Sequence, residues 1–200
     1  MDTILKYKKT ETRLVQMKLL GTKTLETDRL ILRKYELGDE IQVFENWASD
    51  PVTSQYVGWE THKNINQTLE YVKECIEEAN NNGFHWVVET KDTHELIGDI
   101  SAFEIRKRHS NCEIGYSYGS KFWGKGYATE ALRAVIEYFL NECEFHLVEA
   151  KHQSLNSASG RVMEKVGMKK DAVLRQRRIN KITKQVNDLV VYSITKEDLK

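Results

Sequence analysis

The sequence has too few cysteines, spaced too widely, for a disulfide framework. Its three cysteines, Cys75, Cys112 and Cys143, each lie beside apolar positions of expected helices or strands. An odd number of separated cysteines favours reduced thiols over disulfides. We therefore expect a cytoplasmic protein.

Long apolar runs and an excess of one charge are also missing. No run approaches the roughly 18 residues of a membrane span. The amino terminus lacks the apolar core and small-residue cleavage site of a signal peptide. Lys and Arg together number 30, as do Asp and Glu, so the formal net charge is zero. We expect neither membrane binding nor direct nucleic-acid binding.

The common metal and nucleotide motifs are incomplete. His146 and His152 flank one expected strand, but no Cys, Asp or Glu completes a metal-binding set at ligand spacing. A Walker loop needs a Ser or Thr directly after Gly-Lys, which this chain does not provide. A dinucleotide-binding fold needs a third glycine within an early parallel βαβ unit. We therefore expect no metal and neither of these nucleotide folds.

Apolar periodicity predicts strands and helices within one domain. At 200 residues and 40% apolar content, the chain suffices for a single core. We divide it into an extension, residues 1–26, whose order the sequence leaves open, and a domain, residues 27–200. The expected strands cover residues 29–34, 84–89, 95–103, 111–118, 147–151, 172–174 and 189–194. Antiparallel strands followed by a helix-crossed pair indicate a mixed α/β sheet.

Small polar residues mark where the helices begin. Asp39, Asn66 and Asn156 are the expected N-terminal caps of three helices, and a fourth helix begins near Ala128. Gly83 is expected to end the second helix in the left-handed conformation.

Residues 115–131 combine a strand, a glycine-containing loop and an amphipathic helix. Gly124 and Gly126 allow left-handed dihedral angles, which bring successive backbone N–H groups close to a ligand. The positive end of the following helix favours an anion by up to ~2 kcal/mol. A diphosphate fits this description, although glycine pairs also form ordinary turns and the pair alone does not decide.

Three motifs together resemble the GNAT superfamily of N-acetyltransferases, and most closely its RimJ/RimL branch. They are Glu113-Ile-Gly-Tyr116, Trp123-Gly-Lys-Gly-Tyr-Ala-Thr-Glu-Ala131 and Asn156-Ser-Ala-Ser-Gly-Arg-Val-Met-Glu-Lys-Val-Gly-Met168. The resemblance extends from about Thr27 to Leu199. One departure is Trp123, which stands where the superfamily usually has Gln or Arg.

The resemblance implies a fold and an activity. The fold is a mixed, mostly antiparallel sheet with helices on both faces and a splayed central strand pair. The activity is transfer of an acetyl group from acetyl-CoA, a co-substrate, to a primary amine by direct attack in a ternary complex. The acceptor could be a protein N-terminus, including that of a ribosomal protein, or a small molecule. The assembly is a monomer or a homodimer, and the alternative function is a non-catalytic acyl-CoA sensor.

The resemblance also assigns the cofactor-binding residues. Backbone groups of the central strand and loop are expected to bind pantetheine and diphosphate, with the first residues of the short helix nearby. The residues are Tyr116, Ser117, Tyr118, Trp123, Gly124, Lys125, Gly126, Tyr127, Ala128, Thr129, Asn156 and Ser159.

Four residues are candidates for catalysis. Glu113 is the expected general base, acting through water, unless it is a solvated carboxylate on a polar strand face. Ser159 is the expected proton donor to the thiolate, unless its hydroxyl only bonds backbone in the first helical turn. Tyr192 is the second candidate for that acid. Asn156 is expected to position the cofactor and to cap the helix.

The last hairpin and one earlier loop are expected to border the acceptor. The loop covers residues 55–63, and the hairpin carries the basic residues Arg175, Arg177, Arg178, Lys181 and Lys184. These charges are either solvated or face an acidic acceptor or ribosomal surface.

Overall fold

The structure, a computed structural model, describes residues 17–199 and contains one eight-stranded sheet. The strands are β1 Leu25–Glu26, β2 Leu30–Arg33, β3 Phe84–Thr90, β4 Leu96–Arg106, β5 Asn111–Tyr118, β6 Leu147–Gln153, β7 Lys169–Ile179 and β8 Val186–Thr195. The helices are α1 Glu40–Val43, α2 Pro51–Ser54, α3 Ile65–Asn80, α4 Tyr127–Glu137 and α5 Ser157–Lys165. Helices α1 and α4 continue as π-helical turns, Phe44–Ala48 and Tyr138–Glu142.

The strand order is β1-β2-β3-β4-β5-β6-β8-β7, and only β5 and β6 are parallel neighbours. Helix α4 connects these two strands, as a parallel crossover requires. The predicted mixed, mostly antiparallel sheet is therefore confirmed, as is the β3–β4 hairpin.

Strands β5 and β6 separate partway along their length. Their pairing runs from Asn111 opposite Leu147 to Ile114 opposite Ala150 and then stops. Beyond that point β5 continues to Tyr118 beside β4, whereas β6 continues to Gln153 beside β8. The expected splayed central pair is present, and it opens a gap in the middle of the sheet.

Helices cover both faces because strand residues alternate between two apolar clusters. On β3, Phe84, Trp86 and Val88 belong to the larger cluster, which also contains the apolar face of α4. Val87 points the other way into a smaller cluster with Trp47 and residues of α3. Alternation of side chains along each strand therefore divides the core into two layers.

Two expected helix caps are wrong. Asp39 has helical dihedrals and makes no capping bond; its carboxylate accepts instead from Arg33 Nη1 at 2.8 Å and Nη2 at 2.9 Å. Helix α3 is capped by Asn64, whose Oδ1 accepts from the Gln67 N–H at 3.2 Å, and not by Asn66. In each case a competing partner or cap decided the outcome.

The end of α3 also differs from the prediction. Asn82, and not Gly83, has the left-handed conformation, with φ of 60°. Gly83 is required for space, because an added Cβ would lie 2.6 Å from the Glu78 carbonyl oxygen. Asn tolerates the left-handed region better than most residues.

The described part of the N-terminal extension packs on the domain. Met17 joins the larger cluster, the Lys18 N–H donates to the Cys143 carbonyl at 2.7 Å, and Trp86 Nε1 donates to the Lys23 carbonyl at 2.6 Å. The rest of the extension, residues 1–16, lies outside the described residues. No helix within residues 17–199 combines the length and apolarity needed to cross a bilayer.

Candidate active site

A cavity of about 630 Å³ lies where β5 and β6 separate. It is bordered by the end of β5, the loop before α4, the start of α5 and part of the predicted acceptor loop. Its lining residues are Thr53, Gln55, Tyr56, Val57, Tyr116, Ser117, Tyr118, residues 122–129, residues 155–159, Arg161, Val162 and Lys165. All of the expected cofactor-binding residues lie in this set.

The loop before α4 has the conformation that the glycine pair predicted. Gly124 and Gly126 have φ of 76° and 84°, in the left-handed region. A Cβ on Gly124 would meet nothing within 4 Å, so the space beside this glycine is open. Gly126 is the N-terminal cap residue of α4, and no side chain caps the helix there. The first N–H groups of α4 are thus available to an anion.

Trp123 and Lys125 have different surroundings within this loop. The Trp123 indole Nε1 donates to the Tyr118 carbonyl at 2.6 Å, which ties the loop to the end of β5. The Lys125 ammonium lies 5.6 Å from the centre of the Phe122 ring. Trp123 therefore stabilises the loop through its side chain where the superfamily usually has Gln or Arg.

A tyrosine and a serine meet on the α5 side of the cavity. The Tyr116 hydroxyl lies 2.9 Å from Ser159 Oγ and donates to the Ser159 carbonyl at 3.1 Å. Burial raises the pKa of Tyr116 well above its usual value, and the bond to Ser159 opposes this only in part. The phenol thus remains protonated at neutral pH.

Asn156 caps α5, as predicted from the sequence. Its Oδ1 accepts from the Ser159 N–H at 3.3 Å, and its own N–H donates to the Gln153 carbonyl at 2.8 Å. The cap fixes the first turn of α5, so Ser159 is held toward Tyr116.

Glu113 and Tyr192 are outside the set of lining residues. The Glu113 carboxylate is buried and pairs with Lys151 on β6. It lies on the same sheet face as Gly115 and Ser117, opposite to Tyr116. The Tyr192 hydroxyl donates to Glu164 at 2.9 Å. The structure does not bring either side chain together with Ser159.

A buried polar cluster that sequence reasoning missed supports the end of β5. Asp99 Oδ1 accepts from Ser117 Oγ at 2.6 Å, and Asp99 Oδ2 accepts from the Tyr71 and Tyr35 hydroxyls at 2.5 and 3.1 Å. His85 Nε2 lies 3.7 Å from Asp99 Oδ2. The only sequence signal was an aspartate within the apolar strand Leu96-Ile-Gly-Asp-Ile100.

Asp99 and His85 in this cluster are charged, although burial alone would favour their neutral forms. Burial would raise the pKa of Asp99, but the hydrogen bond and charge of His85, with Ser117 and Tyr71, hold it below its usual value. Burial would lower the pKa of His85, but its bonds to Asp99, Cys75 and Glu78 raise it well above its usual value. The side chains therefore form a charged pair beneath Ser117.

Sequence reasoning also missed several lining residues. Arg161 and Lys165 of α5 add positive charge to the cavity, and Leu155 and Val162 add apolar surface. Of the acceptor loop, only residues 55–57 line the cavity. Among residues 17–199, no group of three or more His, Cys, Asp or Glu side chains is placed to hold a metal ion.

One buried polar atom in the cavity wall has no partner. Within the described part of the chain, the Tyr118 hydroxyl is the buried side-chain polar atom that makes no hydrogen bond. Burial raises the pKa of Tyr118 well above its usual value, so it remains a hydrogen-bond donor. An unsatisfied buried group costs about 1–3 kcal/mol, so this hydroxyl lowers the stability of the wall around it.

Comparisons with known proteins agree with this geometry. The family model of the Acetyltransferase (GNAT) domain matches residues 29–169. An uncharacterized N-acetyltransferase of Bacillus subtilis, YoaA, is 34% identical over 173 residues, which cover 86% of this chain and 96% of YoaA. The ribosomal protein uS5-alanine N-acetyltransferase of Escherichia coli is 26% identical over 188 residues, 87% of this chain and 91% of that enzyme.

A solved structure shares the fold. The microcin C7 self immunity acetyltransferase MccE, in complex with acetyl-CoA and AMP, has a TM-score of 0.76 and covers 84% of this chain and 93% of its own. Its sequence identity is 19%, so it supports the fold alone. On the family match, the two relatives and the geometry of the loop before α4, this chain belongs to the GNAT acetyltransferase family, in its RimJ/RimL-like branch.

Proposed function

We propose that this protein transfers the acetyl group of acetyl-CoA to a primary amine by direct attack in a ternary complex. The observation that carries the proposal is the pair of left-handed glycines, Gly124 and Gly126, at the uncapped start of α4 beside the gap between β5 and β6. The acceptor is a protein N-terminal amine or a small-molecule amine. The Escherichia coli relative is named for the alanine of ribosomal protein uS5, which supports the first class.

The cavity fits the donor in three respects. The open space beside Gly124 and the N–H groups of the first turn of α4 suit a diphosphate. Arg161 and Lys165 add positive charge for a further phosphate. The Tyr118 side chain adds aromatic surface to the wall. MccE, which has the same fold, was solved with acetyl-CoA.

The reaction forms an N–C bond and breaks a C–S bond. The amine attacks the thioester carbonyl, its surplus proton leaves, and the departing sulfur takes up a proton. Backbone N–H groups at residues 116–118 are our candidates for stabilising the oxyanion. The acetyl group passes directly from sulfur to nitrogen, so no side chain of the enzyme becomes acetylated.

Ser159 is our candidate for the proton donor to the thiolate, and Tyr116 is our candidate for the group that returns a proton to Ser159. The Tyr116 hydroxyl lies 2.9 Å from Ser159 Oγ and stays protonated. Rotation of its O–H bond from the Ser159 carbonyl toward Oγ would resupply the proton. We prefer Ser159 to Tyr192, because Ser159 lines the cavity whereas the Tyr192 hydroxyl is bonded to Glu164.

Glu113 remains our candidate for the general base. It stands two residues before Gly115 on the sheet face opposite Tyr116, and Lys151 is its ion-pair partner. Because its carboxylate is outside the cavity lining, a water would have to connect it to the acceptor ammonium.

Direct attack is favoured over an acetylated-enzyme route. Cys75, Cys112 and Cys143 are buried, and none of these thiols lines the cavity. Burial raises the pKa of all three, which disfavours the reactive thiolate. Free thiols also support our proposal of a cytoplasmic location.

The test is a screen of small amines and unblocked N-terminal peptides with acetyl-CoA. We expect free thiol release and an acetylated acceptor by mass spectrometry with at least one of them. Initial-rate plots should intersect, as a ternary complex requires. If the protein binds CoA tightly but none of the amines causes thiol release, it is the non-catalytic sensor. Parallel initial-rate plots would instead indicate a covalent acetyl-enzyme intermediate.

A further inference from the structure

Arg29, in the turn between β1 and β2, lies behind the loop that precedes α4. Its Nη1 donates to the Lys125 carbonyl at 3.1 Å, and its guanidinium carbon is 4.6 Å from the centre of the Tyr127 ring. A Cβ added to Gly126 would lie 3.5 Å from Arg29 Nη2. The guanidinium therefore contacts Lys125 and Tyr127, on either side of Gly126, and borders the space beside this glycine.

The bond to the Lys125 carbonyl sets the orientation of one peptide plane. In a trans peptide, the carbonyl of Lys125 and the N–H of Gly126 point in opposite directions. Arg29 holds the carbonyl on its own side, so the Gly126 N–H points away from Arg29. Gly126 has a left-handed conformation and no side chain to restrict its rotation, so an outside contact is needed to fix this plane.

Glu130, in the first turn of α4, anchors the arginine. Its Oε2 accepts from Arg29 Nε at 2.7 Å, and its Oε1 accepts from the Arg29 N–H at 2.9 Å and from Thr27 Oγ1 at 2.6 Å. Burial would raise the pKa of Glu130, but the bonds from Thr27 and Arg29 outweigh it and hold the pKa below its usual value. Glu130 is therefore ionised at neutral pH.

Arg29 also cancels a charge that would oppose the ligand. An ionised Glu130 lies within one turn of the N–H groups that are proposed to bind a diphosphate, where it would repel that anion. The ion pair with Arg29 neutralises it. The arginine thus acts on the geometry of the loop and on its electrostatic potential.

We propose that Arg29, held by Glu130, is a positioning residue that orients the loop amides toward the diphosphate of CoA. The inference rests on the proposed function, because it assumes that the loop binds a diphosphate. The Arg29 side chain is 48% exposed, and exposed ion pairs contribute little to overall stability. Its loss should therefore affect affinity for the diphosphate more than folding.

The experiment compares Arg29→Met with a matched control, Lys91→Met. Lys91→Met also removes an ion pair near the same strands, that of Lys91 Nζ with Glu26 at 2.9 Å, and the Lys91 side chain makes no hydrogen bond to the loop in the described part of the chain. The measurements are the Kd of CoA by calorimetry, turnover with acetyl-CoA, turnover with S-acetylpantetheine, and the melting temperature. S-acetylpantetheine carries the thioester but no diphosphate.

We expect Arg29→Met to weaken CoA binding by about tenfold, the loss of roughly one hydrogen bond to a charged group. The KM for acetyl-CoA should rise while kcat and turnover with S-acetylpantetheine stay near wild type. Lys91→Met should change none of these values. Arg29→Lys keeps the charge but not the planar fork, and it should fall between wild type and Arg29→Met.

Two results would overturn the inference: an unchanged Kd for CoA in Arg29→Met, or an equal loss with both acetyl donors, which would indicate general damage to the fold. Should Arg29→Met fail to fold, Arg29→Lys and Glu130→Gln provide the same comparison. If wild type binds CoA but acetylates no amine, the proposed function is wrong. The Kd of CoA for wild type and Arg29→Met still tests whether Arg29 orients the loop.

Discussion

At the scale of single residues, the bond between Tyr116 and Ser159 is the contact nearest to the proposed chemistry. Each side chain comes from a different element, β5 and α5, and each lines the same cavity. The sequence predicted Ser159 as a proton donor, but it assigned only backbone groups to Tyr116. No local pattern reveals that a tyrosine and a serine 43 positions apart share a hydrogen bond.

Ser159→Ala should lower kcat by about 10²-fold, at the low end for a general acid, because a thiolate needs less protonation than an alkoxide. Tyr116→Phe should have a smaller effect, about tenfold, since Ser159 remains. The Kd of CoA should change little in both variants. Tyr192→Phe decides between the two candidate acids, and a large loss of kcat there with an active Ser159→Ala would move the role to Tyr192.

Gly126→Val should weaken CoA binding far more than Lys125→Ala. Gly126 has φ of 84°, where a β-branched residue costs about 1–3 kcal/mol, and the resulting shift would misplace the loop amides. The Lys125 side chain lies over Phe122, so its loss should cost less than about threefold if main-chain N–H groups bind the anion. Calorimetry of CoA binding measures both, and equal losses would contradict a main-chain site.

At the scale of elements, side chains of β6 and the last hairpin hold the loop of residues 55–63, which we propose borders the acceptor. Gln153 Nε2 donates to the Tyr56 carbonyl at 3.1 Å, and Asn180 Nδ2 donates to the Gln55 carbonyl at 3.3 Å. Lys181 Nζ donates to the Gly58 carbonyl at 2.8 Å. The hairpin thus contacts this loop through side chains that donate to backbone carbonyls.

Gln153→Ala should raise the KM of the acceptor by about fivefold and leave the Kd of CoA unchanged. It removes the bond to the Tyr56 carbonyl, about 1 kcal/mol, which loosens residues 55–57, and also the bond that Gln153 Oε1 accepts from Asn187 Nδ2 at 3.3 Å. Gln185→Ala, at an exposed position in the turn of the last hairpin, is the matched control. Steady-state kinetics with the acceptor found in the amine screen provide the measurement. A parallel rise in the CoA Kd would show that the loop serves the donor as well.

Strand positions were easier to predict than the details of their ends. Strand β5 covers residues 111–118 as the alternation of apolar residues predicted, because pleat and burial act within one segment. The caps at Asp39 and Asn66 were wrong because each choice depended on a competing group, Arg33 in one case and Asn64 in the other. The N-cap preferences of single residues do not include the partners that the fold brings close, so they cannot decide between neighbouring cap candidates.

The splayed pair could not be predicted from periodicity. Apolar patterns place β5 and β6, but the point at which their pairing stops depends on register between segments that are separated by α4. The resemblance to a family supplied that feature and the roles of Asn156 and Ser159. Neither periodicity nor the family resemblance predicted the Asp99 cluster. Its members come from the segment after β2 and from α3, β3, β4 and β5, which are far apart in the sequence.

At the scale of the whole molecule, the Asp99 and His85 pair links stability to pH. The pKa of His85 is raised on folding, so its contribution to stability is complete below the unfolded value of about 6.5 and declines as the pH rises through the folded value. The pKa of Asp99 is lowered, so its contribution is present above about 3.9 and declines only as the pH falls further. Tyr35, Tyr71, Cys75 and Glu78 also face the pair.

Asp99→Asn should lower the free energy of unfolding by about 3–5 kcal/mol, the usual effect of removing one partner of a buried ion pair. It should also flatten the decline in stability that we expect for wild type above about pH 6.5. Urea unfolding between mildly acidic and mildly alkaline pH measures both. His94→Gln, which removes an exposed histidine paired with Glu89, should keep the wild-type slope. An identical slope in Asp99→Asn and wild type would rule out the buried pair as its source.

The early end of the pairing between β5 and β6 divides the sheet mechanically. Five strands lie on one side of this junction and three on the other, and only four residue pairs join them directly. Each half has its own hydrogen-bond ladder, so a small rotation of one half relative to the other would change the width of the opening without breaking either ladder. The cavity between β5 and β6 would then widen or narrow about a hinge formed by the paired residues from Asn111 to Ile114.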